Sequence, residues 1–527
     1  MKGKWSLFVG LAGMGMLLAI GSNSGCGGSN DNGKFGSSSG SSSGGSSNGS
    51  SSGNSGGSSG GCLACGDGGG SGSSSGGNMV VCPTGLQCNV QCSGGTTTTI
   101  SGKVYDPAKK NPLYNVAVYV PQAPLQPLPQ GVPMGADACS CAALFKSGAV
   151  VSAATGVDGT FKLQDAPVGN AVPLVLQIGK WRKLVTIDVK SCQDNPQPDK
   201  SLALPGTIPA GDTNDNMPDI AVSTGSADTL ECLMARIGLP TSEYVAGASG
   251  NGHVHVFSGG DPTGMSAGGQ PEMPPMPGAP ASYTTLWDTQ AHLMPYDITL
   301  LSCEGSETFN AKPQILEDYL NAGGRVFASH YHYSWFTNPT ESGQSYTPPA
   351  DWGNNLASWT PGSNGGLESD GKIVQTLNGS TQPFVKGQAL FQWLGLNGAL
   401  GVLGAPAMEL PIIPPRYNAA VGPGNKPSQS WINDAATGNA MYFSFDTPVN
   451  APPQPDGGAP NYCGRAVFSG LHVGGETMPP DAPPPPGGCQ NVDLSPQEKA
   501  LEFMLFDLSS CVIPDTVPPS DAGVPVQ

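Results

Sequence analysis

The sequence predicts a multidomain chain, an all-β sandwich followed by an α/β doubly wound domain, both behind a disordered Gly/Ser tether. Three observations predict it. The 527 residues include 77 Gly and 51 Pro, about twice the usual share of those two types, and the glycine concentrates near the N-terminus. Short alternating apolar segments separated by turns occupy residues 98–192, whereas apolar segments of strand length alternate with helical spacing over residues 218–512. A hydrophobic fraction of 38% supplies cores for both regions. With 22 Lys+Arg against 39 Asp+Glu, a net charge of -17 and no basic stripe, the chain lacks what a nucleic-acid partner requires.

At the N-terminus, Met1–Lys4 carries two lysines, Trp5–Ile20 runs uncharged and mostly apolar, and the small residues Gly21, Ser22, Ser24 and Gly25 follow. That order is a signal peptide over residues 1–25. The apolar run is shorter than the roughly 20 residues a spanning helix needs. Cys26 follows Ser24-Gly25 directly, and the pattern resembles the lipobox of bacterial lipoproteins, with Asn23 where that family usually has Leu. The resemblance implies that Cys26 carries the lipid that anchors the chain to a membrane. Gly27 in place of Asp implies an outer-membrane or cell-surface location; secretion after cleavage nearby is the alternative. Residues 26–80 form the tether, since 39 of the 52 positions from 27 to 78 are Gly or Ser. As a flexible coil it spans about 40 Å. Cys62 and Cys65 lie inside it with no strand or helix to fix a redox or metal pair.

In the sandwich, strands are expected at Ile100–Val104, Val116–Val120, Thr160–Leu163, Leu174–Ile178 and Leu184–Val189. Asp158-Gly159 and Gly179-Lys180 mark turns, because glycine accepts positive φ. Ile100–Val104, Pro112 with Val116 and Val118, Thr155 with Gly159, Phe161 and Leu163, and Pro167–Gly169 resemble the carboxypeptidase regulatory-like (transthyretin-like) domain over residues 98–192. That resemblance implies a structural or binding module. Pro121–Phe145, with Cys139-Ser-Cys141, is an insertion without an assigned role. Gly211–Asp219 offers Asp212, Asn214 and Asn216 as oxygen ligands but lacks the glycine and distal Glu of a calcium loop, so it reads as a solvated linker.

In the α/β region, strands are expected at Ile220–Thr224, His253–Phe257, Asp297–Ser302, Arg325–Ser329, Ala440–Phe445 and Arg465–Ser469. Helical spacing places Leu230, Leu233, Met234 and Ile237 on one face, and Ile315, Leu316, Tyr319 and Leu320 on another. Ser495-Pro-Gln-Glu498 is a capping box that opens a final helix burying Leu501, Met504, Leu505 and Leu508. The alternation implies a mainly parallel, flavodoxin-like sheet with an irregular insertion at about 334–438 and a disordered tail at 513–527. Tyr296–Leu301, Gly323–His330 and Gly464–His472 resemble three strands of the class I glutamine-amidotransferase-like fold, and within it the ThuA-like proteins. The whole layout resembles surface lipoproteins of myxobacteria.

Ligands of such sheets gather beyond the carboxyl ends of strands. His330, His332, Cys303, Glu304 and His472 all fall there. The amidotransferase resemblance implies a cysteine elbow with His and a carboxylate, but the turn after Ala328 holds Ser329 and His330, and Glu476 stands four residues after His472. The catalytic candidates are therefore His330, His472, Ser329, Glu304 and Glu476. His253-x-His255 and His330-x-His332 each lack a third ligand in sequence, so no metal and no cofactor is expected. His332, Tyr331, Tyr333 and Trp335 are candidates for binding a polysaccharide or peptide at an aromatic mouth; packing beneath the insertion is the other reading.

Strand direction pairs Cys463 with Cys511, because a helix returning from the ligand edge brings Cys511 back to the start of the last strand. It pairs Cys303 with Cys489, both leaving the ligand edge, and disfavours 489 with 511, since 14 helical residues span about 21 Å. The odd count after Cys26 leaves at least one thiol unpaired or intermolecular. The functional expectation is a surface-anchored, non-enzymatic binding or structural lipoprotein. The alternative is a hydrolase or amide-processing enzyme using His330, His472 and a nearby carboxylate.

Overall fold

The computed structural model describes residues 82–260, 276–341, 344–362, 364–455, 460–472 and 483–516. The signal peptide, Cys26, the tether with Cys62 and Cys65, Glu476 and the tail beyond residue 516 lie outside them. The described part is a sheet-rich fold with mixed sheets. No helix among the described residues is long and apolar enough to cross a membrane.

In the first region, the strands are β1 (Thr99–Tyr105), β2 (Ala117–Pro121), β3 (Ala149–Ala154), β4 (Thr160–Leu163), β5 (Gly169–Ile178), β6 (Trp181–Val189), β7 (Asp194–Pro196) and β8 (Leu202–Ala203). One sheet runs β4-β1-β7 with β8 also on β1, and the other runs β3-β2-β5-β6. Ile100, Val104 and Phe161 from one sheet and Val118, Leu174 and Leu176 from the other enter a single apolar core. The five expected strands are all present: β4 has its expected bounds, β2 is shifted by one residue, and β1, β5 and β6 are longer than expected.

The second region comprises β9 (Ile220–Ser223), α1 (Leu230–Arg236), β10 (Tyr244–Ala246), β11 (Val254–Phe257), α2 (Ser282–Thr285), α3 (Gln290–Leu293), β12 (Ile298–Leu301), α4 (Pro313–Ala322) and β13 (Arg325–Ser329). It continues with β14 (Ser358–Trp359), β15 (Ser369–Ile373), α5 (Val385–Leu396), β16 (Leu410–Ile412), β17 (Ala419–Ala420), β18 (Ser428–Asp434), β19 (Ala440–Thr447), β20 (Gly464–Ser469) and α6 (Pro496–Ser509). A ten-stranded sheet has the order β10-β11-β9-β12-β13-β20-β19-β18-β15-β16. The first six strands are parallel and the last four pair antiparallel. The sequence 334–438 is thus only partly irregular. It supplies α5 and three antiparallel strands that extend the sheet.

β9, β11, β12 and β20 are buried along their length, as strands covered on both faces must be. Successive residues serve opposite faces. Val222, Leu300, Phe327 and Val467 join Leu233 of α1 and Leu505 of α6, while Ala221, Leu301, Val326 and Phe468 join Leu316 and Leu320 of α4. The α6 capping box forms as its sequence requires, with Ser495 Oγ accepting from Glu498 N and Glu498 Oε2 accepting from Ser495 N.

The two regions share a core rather than standing apart. Tyr114 stacks on Phe503 of α6 at 5.7 Å, Trp181 meets Phe506 at 5.7 Å, and Trp393 Nε1 donates to Pro112 O at 2.6 Å. The stretch read as a solvated linker is docked by mutual main-chain bonds between Arg182 and Asn216, with Asp215 and Met217 buried. Asp212 Oδ1 accepts from Asn214 N at 2.7 Å, the bond of a turn. The first residues of the expected tail also dock, since Asp515 pairs with Arg465.

Disulfides join Cys82 with Cys88, Cys92 with Cys192, Cys139 with Cys463, Cys141 with Cys511 and Cys232 with Cys489. Both expected pairings, Cys463 with Cys511 and Cys303 with Cys489, are corrected. Chain direction does bring Cys463 and Cys511 to one edge of the sheet. The insertion before β3 reaches that edge too, and Cys139 and Cys141 take one partner each. Cys489 meets Cys232 on α1, and Cys303 is the free cysteine among the described residues.

Candidate functional site

Three neighbouring parallel strands end at one edge, and each delivers one donor there. Cys303 follows β12, His330 follows β13 and His472 follows β20. One ligand-capable atom from each lies within 4.8 Å of the others. Cys303 Sγ is 3.3 Å from His330 Nδ1, and the His330 and His472 ring centroids are 4.9 Å apart. The cluster is buried: Cys303 is 0%, His330 3% and His472 7% exposed. Neither His330 Nε2 nor His472 Nε2, both buried, has a hydrogen-bond partner among the described residues.

Backbone geometry at this edge is unusual. β13 runs extended to Ser329, then His330 turns at φ 45° to open a six-residue 3₁₀ helix, His330–Trp335. A non-glycine residue in the left-handed region is uncommon and strained, and such positions persist where the surroundings hold them in place. Fully buried Ser329 fixes the turn from below, its Oγ donating to Asp228 Oδ2 at 2.7 Å. On the far side, Arg416 N donates to Gly470 O at 3.0 Å. A Cβ on Gly470 would lie 2.4 Å from Arg416 O, so glycine is what lets this loop close over the end of β20.

Electrostatics follow from burial. The Cys303 thiol is pushed up to about 12, chiefly by burial. His472 is held down to about 3 by burial and then by the Arg416 charge. His330 sits well below the ordinary imidazole range through burial first, then through the charges of His472, Arg416 and His332. At neutral pH the three groups are a thiol and two neutral imidazoles, which offer lone pairs but no thiolate-imidazolium pair.

The other sequence-predicted residues divide. Glu304 is fully buried directly after Cys303, and its main-chain O accepts from Ser226 Oγ at 2.6 Å. His332 is not a member of the trio: its Nε2 pairs with Ser302 O at 2.8 Å and its Nδ1 with Thr308 Oγ1 at 2.6 Å, a fully used imidazole. Tyr333 and Trp335 form no aromatic mouth. Both are fully buried, Tyr333 donating to Glu307 Oε1 at 2.8 Å and Trp335 to Thr308 Oγ1 at 2.9 Å. Tyr331 alone of the aromatic set stays half-buried at the edge, its ring 4.2 Å from that of His330. His253 and His255 lie at the opposite edge, bonded to Glu243 Oε2 and Gly247 O.

Sequence reasoning placed His330, His472 and Cys303 on this edge but assigned Cys303 to a disulfide, and it missed Asp228 and Arg416. The Asp228 position just before α1 was the available signal, because the loop after β9 opens on the same edge. Arg416 carried none, since it arrives from the antiparallel half. The chain matches no protein-family model, no curated protein and no solved structure.

Proposed function

We propose that this is an exported protein, held at a cell surface through Cys26 and its Gly/Ser tether, whose α/β head binds a ligand at the Cys303–His330–His472 edge and performs no thiol chemistry. The burial of Cys303 carries this reading. Its sulfur has no exposed surface, so a carbonyl substrate has no approach to it. The five disulfides support an oxidising compartment. The strand order about β9, with helices on both faces, supports a doubly wound, flavodoxin-like head of the amidotransferase-like or ThuA-like kind. The two four-stranded sheets support the transthyretin-like sandwich. With Tyr333 and Trp335 packed inward, stacking on sugar rings is not the binding mode we favour.

One observation favours the alternative, a hydrolase. An unpaired thiol lies 3.3 Å from an imidazole at the ligand edge of an α/β sheet. A panel of ester and amide substrates, run on the intact mature protein together with native alkylation, separates the two. Binding without thiol chemistry predicts no turnover, and a Cys303 that reacts with iodoacetamide only after unfolding. Hydrolysis that disappears in Cys303→Ser or His472→Ala, with circular dichroism unchanged, would install the hydrolase instead.

A further inference from the structure

We propose that Cys303, His330 and His472 together hold one soft divalent transition-metal ion, zinc being the best fit, as the three protein donors of a buried site. The inference rests on the reading of this edge as a binding centre and names the class of ligand. Three independent features of the site point to it.

The first is distance. Tetrahedral zinc holds sulfur at about 2.3 Å and nitrogen at about 2.0–2.1 Å, which sets ligand atoms roughly 3.3–3.6 Å from one another. Cys303 Sγ and His330 Nδ1 already stand 3.3 Å apart, and no ligand-atom pair of the trio exceeds 4.8 Å. Side-chain adjustment of about 1 Å closes the remainder, and no strand has to move. The second feature is an orphaned nitrogen. A buried polar atom without a partner costs free energy, and native interiors hold few of them. His472 Nε2 is one, and a metal ion held by the trio would satisfy it, while His330, binding through the Nδ1 that lies beside Cys303 Sγ, would keep its proton on Nε2. The third is the strained turn at His330, which puts an imidazole where the chain would otherwise take glycine.

Donor chemistry selects the metal. One sulfur and two imidazoles suit zinc and its soft neighbours, whereas calcium and magnesium take oxygen. Binding removes one proton: the Cys303 S–H bond breaks, a metal–thiolate bond forms and the proton leaves to solvent. Arg416 opposes the incoming charge, while Asp228 and the new thiolate offset it.

The test uses the intact mature protein, freed of metal by a chelator under non-reducing conditions and titrated with cobalt(II) and zinc(II). The expected result is one cobalt per chain with a thiolate-to-cobalt charge-transfer band, displaced by zinc, and a rise in Tm on zinc addition. Cys303→Ser should abolish the charge-transfer band, and His472→Ala should weaken zinc binding roughly tenfold or more. His253→Ala, at the opposite edge, should change neither. Because the variants could fold poorly, a second measurement uses the unmodified chain: zinc should slow alkylation of Cys303 under partial denaturation. No cobalt bound, a cobalt spectrum without a thiolate band, or binding unchanged in both variants overturns the metal site. If metal fails to bind and no turnover depends on Cys303, the metal inference falls while the binding reading stands. If metal fails and Cys303-dependent hydrolysis appears, both fall.

Discussion

The two edges of the ten-stranded sheet are built by opposite rules. At the edge where the parallel strands begin, nearly every charged group is matched. Arg465 bonds Asp446, Asp507 and Asp515, buried Lys180 pairs with Asp297 at 2.5 Å, Arg325 donates to Cys463 O, and two disulfides tie the insertion before β3 to the ends of β20 and α6. At the edge where the strands end, donors are brought together and left unsatisfied, and a thiol is kept out of the disulfide network. The difference teaches where stability is made and where it is not. Substitutions at the first edge should unfold the protein, and substitutions at the second should cost far less stability.

Arg465 gives the largest effect. Its guanidinium is 2% exposed and bonds three carboxylates. Arg465→Met leaves those carboxylates without their central cation, a loss of about 3–5 kcal/mol. Urea denaturation should show it as a lower midpoint with an unchanged slope. The metal-free His472→Ala variant should lose less than about 2 kcal/mol, because no side-chain hydrogen bond disappears with it. Equal losses at the two edges would break the comparison.

The disulfide clamp follows. Replacing Cys141 and Cys511 together with Ser should cost about 2–4 kcal/mol. Peptide mapping under non-reducing conditions should recover the pairs of Cys139 with Cys463 and Cys141 with Cys511, and native alkylation should leave Cys303 unlabelled. A bridge from Cys463 to Cys511 would restore the sequence-based pairing and detach the insertion.

What could be read beforehand follows the length scale of each interaction. β4 and β13 match their expected ranges, and α4 carries the expected apolar residues, because such signals are local. The Ser495 capping box is local too. Partner choice among four cysteines at one edge is not, and the insertion carrying Cys139 and Cys141 has no periodicity to place it. β18, with the sequence Ser-Gln-Ser-Trp-Ile-Asn-Asp, shows no regular alternation, so the antiparallel half becomes visible only beside its partners. The same limit hid the trio. Strand ends were predictable one by one, but their adjacency comes from the order β12-β13-β20, which the sequence does not state.

Glu231 tests the ligand-edge side of the comparison through pH. It is fully buried in the first turn of α1 and raised to about 8 by burial and then by the charge of Asp228. The folded chain therefore keeps this proton at neutral pH, whereas the unfolded chain releases it near the ordinary value of 4.5. Its stabilising contribution is complete below about pH 4.5 and is lost progressively as pH rises to about 8. Tm of the unmodified protein should fall over that window more than Tm of Glu231→Gln, by several degrees. Parallel curves would mean that Glu231 ionises normally.

The smallest effect concerns the turn at His330. If φ 45° is a cost borne to place the imidazole, the side chain and the backbone strain can be separated. His330→Ala removes the ring and keeps the strain, and His330→Gly removes both. In the metal-free protein the glycine variant should be the more stable by up to about 1 kcal/mol, since a left-handed conformation costs an L-residue about 1–2 kcal/mol more than it costs glycine. The entropy that glycine adds to the unfolded chain opposes this by only about 0.4–1 kcal/mol, so alanine would win if the turn were relaxed. The order of the two midpoints is therefore decisive. Glycine above alanine means that the turn is strained to serve the side chain, and alanine above glycine means that His330 occupies an unstrained turn.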